Sequence, residues 1–534
     1  MIVVAGKQET YLRALPSFLF WLGVTLAVVG FVIDGMWNDV PWAGVAVLGE
    51  LALAAAVLGW VLNRMTGWSL ATATACVWLL ALIYFAGLAS FDAVIFLALA
   101  SIALGGALVP SEWSGAVSAL VGFAVLSGVV GWLLPFPVHG RVGYIIGLLV
   151  LTALQWRAVV EVLRSALRSW RAAVELAPAG TWLMVMAAGI VSTCAWLPTI
   201  HYDDLSYHLG LPSQLVSLGY YKMDAASQVW AVNAWAADVL QAVTWMVAGH
   251  ESRGMLDVFW LLLGLVLVWR LCEALDLPPW LRCIAVALYA SLPLTAGALT
   301  GMQTEGPSAA VAAGIALLIQ RSSKPDRRQL LVFASLFGLL LALKISNLTI
   351  AGPLGLWLLY RWRWHLPWRA LPLSISLLLL VAGSSYIYAW VLTGNPVLPL
   401  FGGIFHSPYN VPTDGGSWFH LRWNIVWNLV FHTSRYAPDS GDGSAGFVLV
   451  ALGGSVLAAL FRRRTRAFVL AAIGSFLLPL IAAPYLRYTH QAFALLPGDV
   501  VRRAGRCPRG PMGTLGGWRA RSVGVDQPGV CPGE

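Results

Sequence analysis

Apolar runs long enough to cross a bilayer recur along almost the whole chain, and no other feature constrains its fold as strongly. The runs are ~18–22 residues long, and ~20 such residues in a helix cover the ~30 Å of a hydrocarbon core. Lipid offers no partner to backbone N–H and C=O groups, so runs of this length are expected to be helices that satisfy their own backbone. Composition agrees. Of the 534 residues, 59% are hydrophobic and 11% charged, where a soluble domain carries about 25% charge. The mean hydropathy is +0.77. A soluble globular protein, a disordered tail protein and a disulfide scaffold are excluded. The expected fold class is an all-α polytopic integral membrane protein with about 15 transmembrane helices. The 27 Trp suit interfacial belts, where an apolar ring meets a wet edge.

Expected spans are 14–34, 42–63, 70–89, 92–110, 114–135, 143–160, 180–198, 254–271, 281–299, 305–320, 329–343, 346–361, 371–393, 444–461 and 467–483. Lys7 and Arg13 precede the first, and no small-residue cleavage site follows it, so it reads as a helix rather than a removed signal peptide. Arg157, Arg164, Arg168 and Arg171 form a basic, amphipathic loop after the sixth. The positive-inside rule places both basic segments in the cytoplasm. The apolar piece 234–249 is ambiguous. Lying flat on the outer surface, it leaves Arg321, Lys324, Arg327, Arg328 and Arg462–Arg464 inside; crossing, it would put them outside. Residues 205–250 are therefore expected to form an extracytoplasmic first loop with one or two interfacial helices.

The net charge of +9 sits mostly in short loops and reports orientation, so no nucleic-acid partner is expected. The six Cys form no C-x-x-C pair, and no metal or redox site is read from them. The chain divides near residue 176. Residues 1–175 form a six-span module with few buried charges and no motif. Residues 176–497 hold nine spans and nearly all the polar motifs. Residues 394–443, rich in Gly, Pro, Asn, Asp and Trp, suggest a lid or binding loop. Residues 498–534 hold six Arg and no Lys among many Gly and Pro. Two readings of this tail stay open, a frameshifted or misassembled end and a disordered tail. An intact frame in clean reads of the 3′ end of the coding region excludes the first.

With this topology Asp203 and Asp204, Thr304–Glu305, Lys344, Gly394–Pro396 and Arg487–Tyr488 all emerge on one outer face, at the ends of different spans. Ionisable groups at membrane depth are costly and mark functional sites. An acid held at the surface can act as a general base, stabilise a developing cation or bind a metal. Two adjacent side chains on a regular element cannot both reach one atom, so one of Asp203 and Asp204 is expected to act. A helix cap remains the ordinary alternative for the acids, and snorkelling to the interface for Lys344 and Arg487. His201, His406, His420, His432 and His490 also lie near this side, but no two share a zinc-ligand spacing.

Asp203, then Tyr207-His208-Leu209 and Pro212, resembles the first-loop motif of bacterial GT-C membrane glycosyltransferases, relatives of protein O-mannosyltransferases and of lipid A aminoarabinose transferases. The resemblance continues over about 178–490. Asn233 to Asp238 stands where that family has a Pro-rich stretch ending in an acid. Thr304-Glu305-Gly306-Pro307 is similar to its Thr-Asp-Leu-Pro, with Glu in place of Asp. Gly338 to Asn347, including Lys344, resembles its Gly-rich helix ending in Lys. Thr393-Gly-Asn-Pro-Val-Leu-Pro399 is similar to its Gly-Asn-Pro-Val-x-Pro loop, and Arg487-Tyr488 to an Arg-Tyr that opens a last span.

The resemblance implies a GT-C-like core in a bacterial cytoplasmic (inner) membrane, with the active face extracytoplasmic. It implies sugar transfer, inverting, from a polyprenyl-phosphate-linked donor to a lipid, glycan or protein acceptor. Asp203 would be the general base with Asp204 as its alternate. Tyr207, His208, Asp238, Glu305, Lys344, Asn395 and Arg487 would bind substrate. Lys344 and Arg487 are the cations suited to a phosphate leaving group. The acids are Asp-Asp rather than a spaced Asp-x-Asp, so no metal and no cofactor are expected. A secondary transporter or flippase for an anionic lipid or sugar, and a polyprenyl-glycan polymerase or ligase, are the alternatives. A transporter would place ionisable residues mid-span in discontinuous helices, whereas here they favour span ends.

Overall fold

A computed structural model describes residues 2–110, 113, 115–322, 324–363, 365–409, 424–436, 441–463, 465–482 and 485–496, and for 2–16 the backbone alone. The tail 498–534, and with it the choice between its two readings, lies outside these residues, as do His420 and much of the 394–443 loop. Among the described residues the chain is all-helical, with no strand. It runs through α1 (Ile2–Ile33), α2 (Trp42–Thr66), α3 (Leu70–Ala86), α4 (Leu88–Gly106), α5 (Gly115–Leu133), α6 (Arg141–Leu154) and α7 (Trp156–Leu176). α8 (Pro178–Ser192) leads to α9 (Gly210–Leu218) and α10 (Ala236–Ala248). Then come α11 (Arg253–Ala274), α12 (Pro279–Ala290), α13 (Pro293–Ala298), α14 (Glu305–Arg321), α15 (Arg327–Leu343), α16 (Leu348–Arg361) and α17 (Leu371–Thr393). The last are α18 (Ile425–Phe431), α19 (Val448–Leu460), α20 (Arg466–Ala482) and α21 (His490–Phe493).

Local signals set several ends. Ser69 caps α3 by accepting from the Thr72 N–H at 3.2 Å, and Asp326 caps α15 by accepting from the Arg328 N–H at 3.0 Å; each satisfies an orphan donor of the first turn. Pro178, Pro279 and Pro293 sit at helix starts, where the missing N–H costs nothing.

Among the described residues, six segments are long and apolar enough to cross a membrane: Trp42–Thr66, Leu88–Gly106, Gly115–Leu133, Pro178–Ala195, Arg253–Ala274 and Trp368–Thr393. A seventh is present if α6 and α7 count as one bent span. Each of the fifteen expected stretches carries helix, but apart from α1 the helices in the others are shorter, because hydropathy also counts apolar residues that belong to loops and breaks. Two departures are clear. The stretch 143–160 ends at Leu154, where the chain bends by 78° into α7. The stretch 281–299 is cut in two, since Pro293 cannot donate to the preceding turn and restarts a helix as α13.

The helices sort by burial. Only 11% of the most apolar window of α2 is buried, against 72% for α11. A helix apolar all round yet exposed belongs against lipid, and α2 packs on α3 and α8 at the rim. α14 lies at the centre, with every residue from Pro307 to Ile319 buried. Its Ala-rich stretch Ala309–Ala316 lets α11 approach closely. α4 and α5 join the same core. Leu97, Leu120 and Phe123 pack in one cluster with Leu240, Leu267 and Leu317, and Phe123 lies 4.8 Å from Trp260. α10 departs from the expected surface helix. All its residues except Trp245 are buried, because α4, α5, α6, α9 and α15 surround it.

α4 and α5 meet backbone to backbone. A Cβ added at Gly122 would fall 1.9 Å from the Ser101 carbonyl oxygen, and one at Gly105 1.9 Å from that of Ser118. Gly122→Val is expected to destabilise the protein by about 2–3 kcal/mol through overpacking. Gly49→Val on the open face of α2, where nothing lies within 4 Å, should cost a small fraction of that. Unfolding in detergent checks the pair, and equal costs at the two sites would contradict this packing.

Candidate functional site

The chain leaves α8 through Trp196–Ile200 and enters a single π turn, Asp204–His208, closed by the Leu209 N–H donating to the Asp204 carbonyl at 2.9 Å. Such turns recur at functional sites. The two adjacent acids diverge here. Asp204 is fully buried; its Oδ2 accepts from the Thr199 hydroxyl and, at 2.8 Å, from the Met302 N–H. It thereby ties the α8–α9 connection to the segment before α14. Asp203 is 30% exposed and turns to Arg487, whose Nη1 and Nη2 both lie 3.4 Å from its Oδ2.

Arg487 joins three segments. Its Nη1 also donates to Gln303 Oε1 at 3.2 Å, and its Nε lies 4.0 Å from Glu305 Oε1. Glu305, the first residue of α14, is 3% exposed and accepts from Lys344 Nζ at 2.9 Å. Lys344 follows α15 in an extended conformation, and its ammonium stands 4.0 Å from the centroid of the Tyr488 ring, a cation–π distance. Four residues from four parts of the sequence, Asp203, Glu305, Lys344 and Arg487, thus form one chain of opposite charges. It is formally neutral, with two acids and two cations. Among the described residues, Glu305 Oε2 and Arg487 Nε make no hydrogen bond. Burial opposes the charge on Arg487, but Glu305, Tyr488 and Asp203 more than compensate, and its pKa is raised.

The neighbouring elements brace this set. Arg253, buried at the start of α11, donates to the Leu299 carbonyl at 2.8 Å and to the Leu197 carbonyl, and pairs with Asp257 at 3.3 Å. It holds together the strands of chain that carry Asp203 and Glu305. Asn347 Nδ2 donates to Ser308 Oγ and the Leu340 carbonyl, each at 2.8 Å, and Gln491 Nε2 donates to Asn347 Oδ1 at 3.3 Å. This polar knot fixes the Arg487 segment against α14 and α15. His490 Nε2 meets Thr295 Oγ1 at 3.0 Å, its ring stacks on Tyr289, and its Nδ1 lies 3.4 Å from the Glu305 carbonyl, so it braces the backbone beneath the cluster.

A second pair lies beside the first. His208 Nδ1 is 2.8 Å from Asp238 Oδ1, both buried, and the Tyr207 ring lies between His208 and Trp230, at centroid distances of 4.2 and 5.8 Å. Burial, and then Asp203, push the Tyr207 phenol up, which keeps it a hydrogen-bond donor. Asn395 stays apart. Its Nδ2 donates to the Leu400 carbonyl at 2.8 Å and its Oδ1 accepts from the Val397 N–H at 3.0 Å, so its side chain shapes its own loop. Among the described residues no three His, Cys, Asp or Glu are grouped to hold a metal ion.

Sequence reading left out Gln303, Trp230, Thr199, Arg253 and the Asn347–Gln491 link. Gln303 stands beside Thr304-Glu305 and was within reach of a motif reading. Arg253 carried no signal beyond a cation at a helix start. Comparison with protein-family models, with curated proteins and with solved structures gives no match.

Burial lowers the pKa of His208, but the Asp238 carboxylate outweighs it, and the net shift is upward from the ordinary 6.5. The resulting stabilisation is fully present below about pH 6.5 and is lost as pH rises through the folded-state pKa. NMR titration of labelled histidine should place His208 above 6.5 and, in Asp238→Asn, at a lower value, because the carboxylate that most opposes burial is then gone. A His208 titration unmoved by Asp238→Asn would contradict the pairing.

Proposed function

We propose that this chain is an integral membrane glycosyltransferase with a GT-C-like core. In this reading the shorter apolar helices complete about 15 crossings, and the Asp203 end faces the extracytoplasmic side of a bacterial cytoplasmic membrane. A sugar passes from a polyprenyl-phosphate-linked donor to an acceptor hydroxyl on a lipid, glycan or protein. The observation that carries the reading is the Asp203–Arg487–Glu305–Lys344 cluster, assembled at helix ends from four distant segments whose local motifs resemble that family.

Asp203, half-buried and at the rim, takes the proton from the acceptor hydroxyl. The acceptor oxygen bonds to the anomeric carbon as the carbon–oxygen bond to phosphate breaks, with inversion. The prenyl phosphate leaves with the electron pair, its charge met by Arg487 and Lys344. Both cations are already paired, so arriving phosphate exchanges with a carboxylate rather than meeting bare charge. That exchange would free Asp203 from Arg487 as the donor binds. Asp204, held by Thr199 and Met302, positions the loop, and Tyr207, His208 and Asp238 line the acceptor side. Exposed Leu197, Ile200, Tyr202 and Leu205 flank Asp203, which suits a donor whose tail stays in lipid.

The test is transfer of label from polyprenyl-phosphate sugars to a membrane extract, with the full chain in lipid. Asp203→Asn should lower the rate by ~10²–10⁴-fold, the usual contribution of a general base, while folding is retained. Undiminished transfer by Asp203→Asn would remove the base assignment. No transfer from any donor by a folded chain with a verified 3′ end would remove the reading.

A further inference from the structure

The end of the bundle remote from Asp203 carries a second charged cluster. α14 runs from Glu305 at one end to Arg321 at the other, 16 residues on, which is about 24 Å at 1.5 Å per residue. Around Arg321, three guanidiniums from three helices share one carboxylate. Arg270 Nη1 lies 2.9 Å, Arg282 Nη1 2.8 Å and Arg321 Nη2 3.4 Å from the oxygens of Glu273. The set has two positive charges in excess, and its side chains are partly exposed.

α7 is stitched to this cluster, since Arg270 Nη2 donates to Ser169 Oγ at 2.7 Å. α6 packs against α4, and the 78° bend after it turns α7 across the helix ends rather than along them. One side of α7 is seated on the protein through Val159, Trp170 and Ala173. The rest is open. Trp156, Leu163 and Leu167 are exposed along one helical stripe, and Arg157, Arg164, Arg168 and Arg171 are exposed beside it. Trp60, Arg64, Met65, Trp68 and Trp280 continue the exposed mixture of aromatic and cationic groups. A strongly amphipathic helix with arginines flanking leucines lies in the plane of a membrane surface.

We propose that this face is a docking surface for anionic phospholipid headgroups. The α7 leucines enter the acyl boundary, and phosphate groups bind Arg157, Arg164 and Arg171 of α7 and the Arg270–Arg282–Arg321 cluster, while Arg168 is paired with Glu161 at 2.8 Å. Charge complementarity selects this occupant. The face is basic, its apolar groups form a narrow stripe beside arginines rather than a broad patch, and Arg pairs with phosphate in a fork. It is independent of the catalytic reading and of which side of the membrane this end faces.

The test uses the full chain in phosphatidylcholine micelles, titrated with phosphatidylglycerol and followed by Tm. Phosphatidylglycerol should raise Tm by several degrees; more phosphatidylcholine, or inorganic phosphate at the same concentration, should not. The triple variant Arg157→Gln/Arg164→Gln/Arg171→Gln should weaken the apparent affinity on the order of a hundredfold, while the three Lys replacements retain most of it. Should the Gln variant fail to unfold cooperatively, salt decides. Wild-type affinity should fall steeply between 0.05 and about 0.5 M salt. An equal Tm rise with inorganic phosphate, unchanged affinity in the Gln variant, or no salt dependence would each overturn the proposal.

Discussion

Glu305 is the residue on which the candidate site depends. A carboxylate this deeply buried costs several kcal/mol unless it is paired and hydrogen-bonded. Here Lys344 and Arg487 supply the pairing. They come from the end of α15 and from the segment before α21, so the electrostatic demand of one side chain makes three distant parts of the chain meet. Asp203 is then held at the rim by the outer edge of Arg487. Buried ion pairs contribute little net stability against apolar replacements, but breaking one is costly. An arrangement of this kind fixes geometry more than it adds free energy.

The rest of the structure is organised by two polar poles and the apolar helices between them. At one pole stand Asp203, Glu305, Lys344 and Arg487; at the other, Glu273 with three arginines. α11 and α14 run from one to the other. α14 carries no ionisable residue between Glu305 and Arg321, and the small residues of α14, α4 and α5 let helices approach closely. Arg253 acts in the same way, since one guanidinium donates to carbonyls on two separate segments, at Leu197 and Leu299.

Much of this was legible in advance. Long apolar runs marked the helices, and the shared face of Asp203, Glu305, Lys344 and Arg487 followed from topology and short motifs. Other parts were not. The divergence of Asp203 and Asp204 depends on the π turn, whose wider winding has no compositional mark. The burial of α10 was hidden because a helix of Ala, Val and Leu with one acid reads alike on a membrane surface and inside a protein. Only its neighbours α4, α5 and α15 distinguish the two. The bend at Gln155 was missed because Gln is compatible with a continuing helix, and the amphipathic stripe begins only at the next residue.

By itself, then, the sequence determined that the chain is helical and membrane-sized, because backbone groups in an apolar run must satisfy one another locally, and local rules are written in local residues. It also determined which charges are exceptional, since an ionisable side chain is conspicuous in so apolar a chain. Which charges meet was decided by the tertiary structure alone. Pairing of Glu305 with Lys344 and Arg487, of Asp238 with His208, and of Glu273 with Arg321 joins residues 30 to 182 positions apart. Such pairings follow from how helices pack, and helix packing depends on shape at every contact along the bundle rather than on any one stretch of sequence.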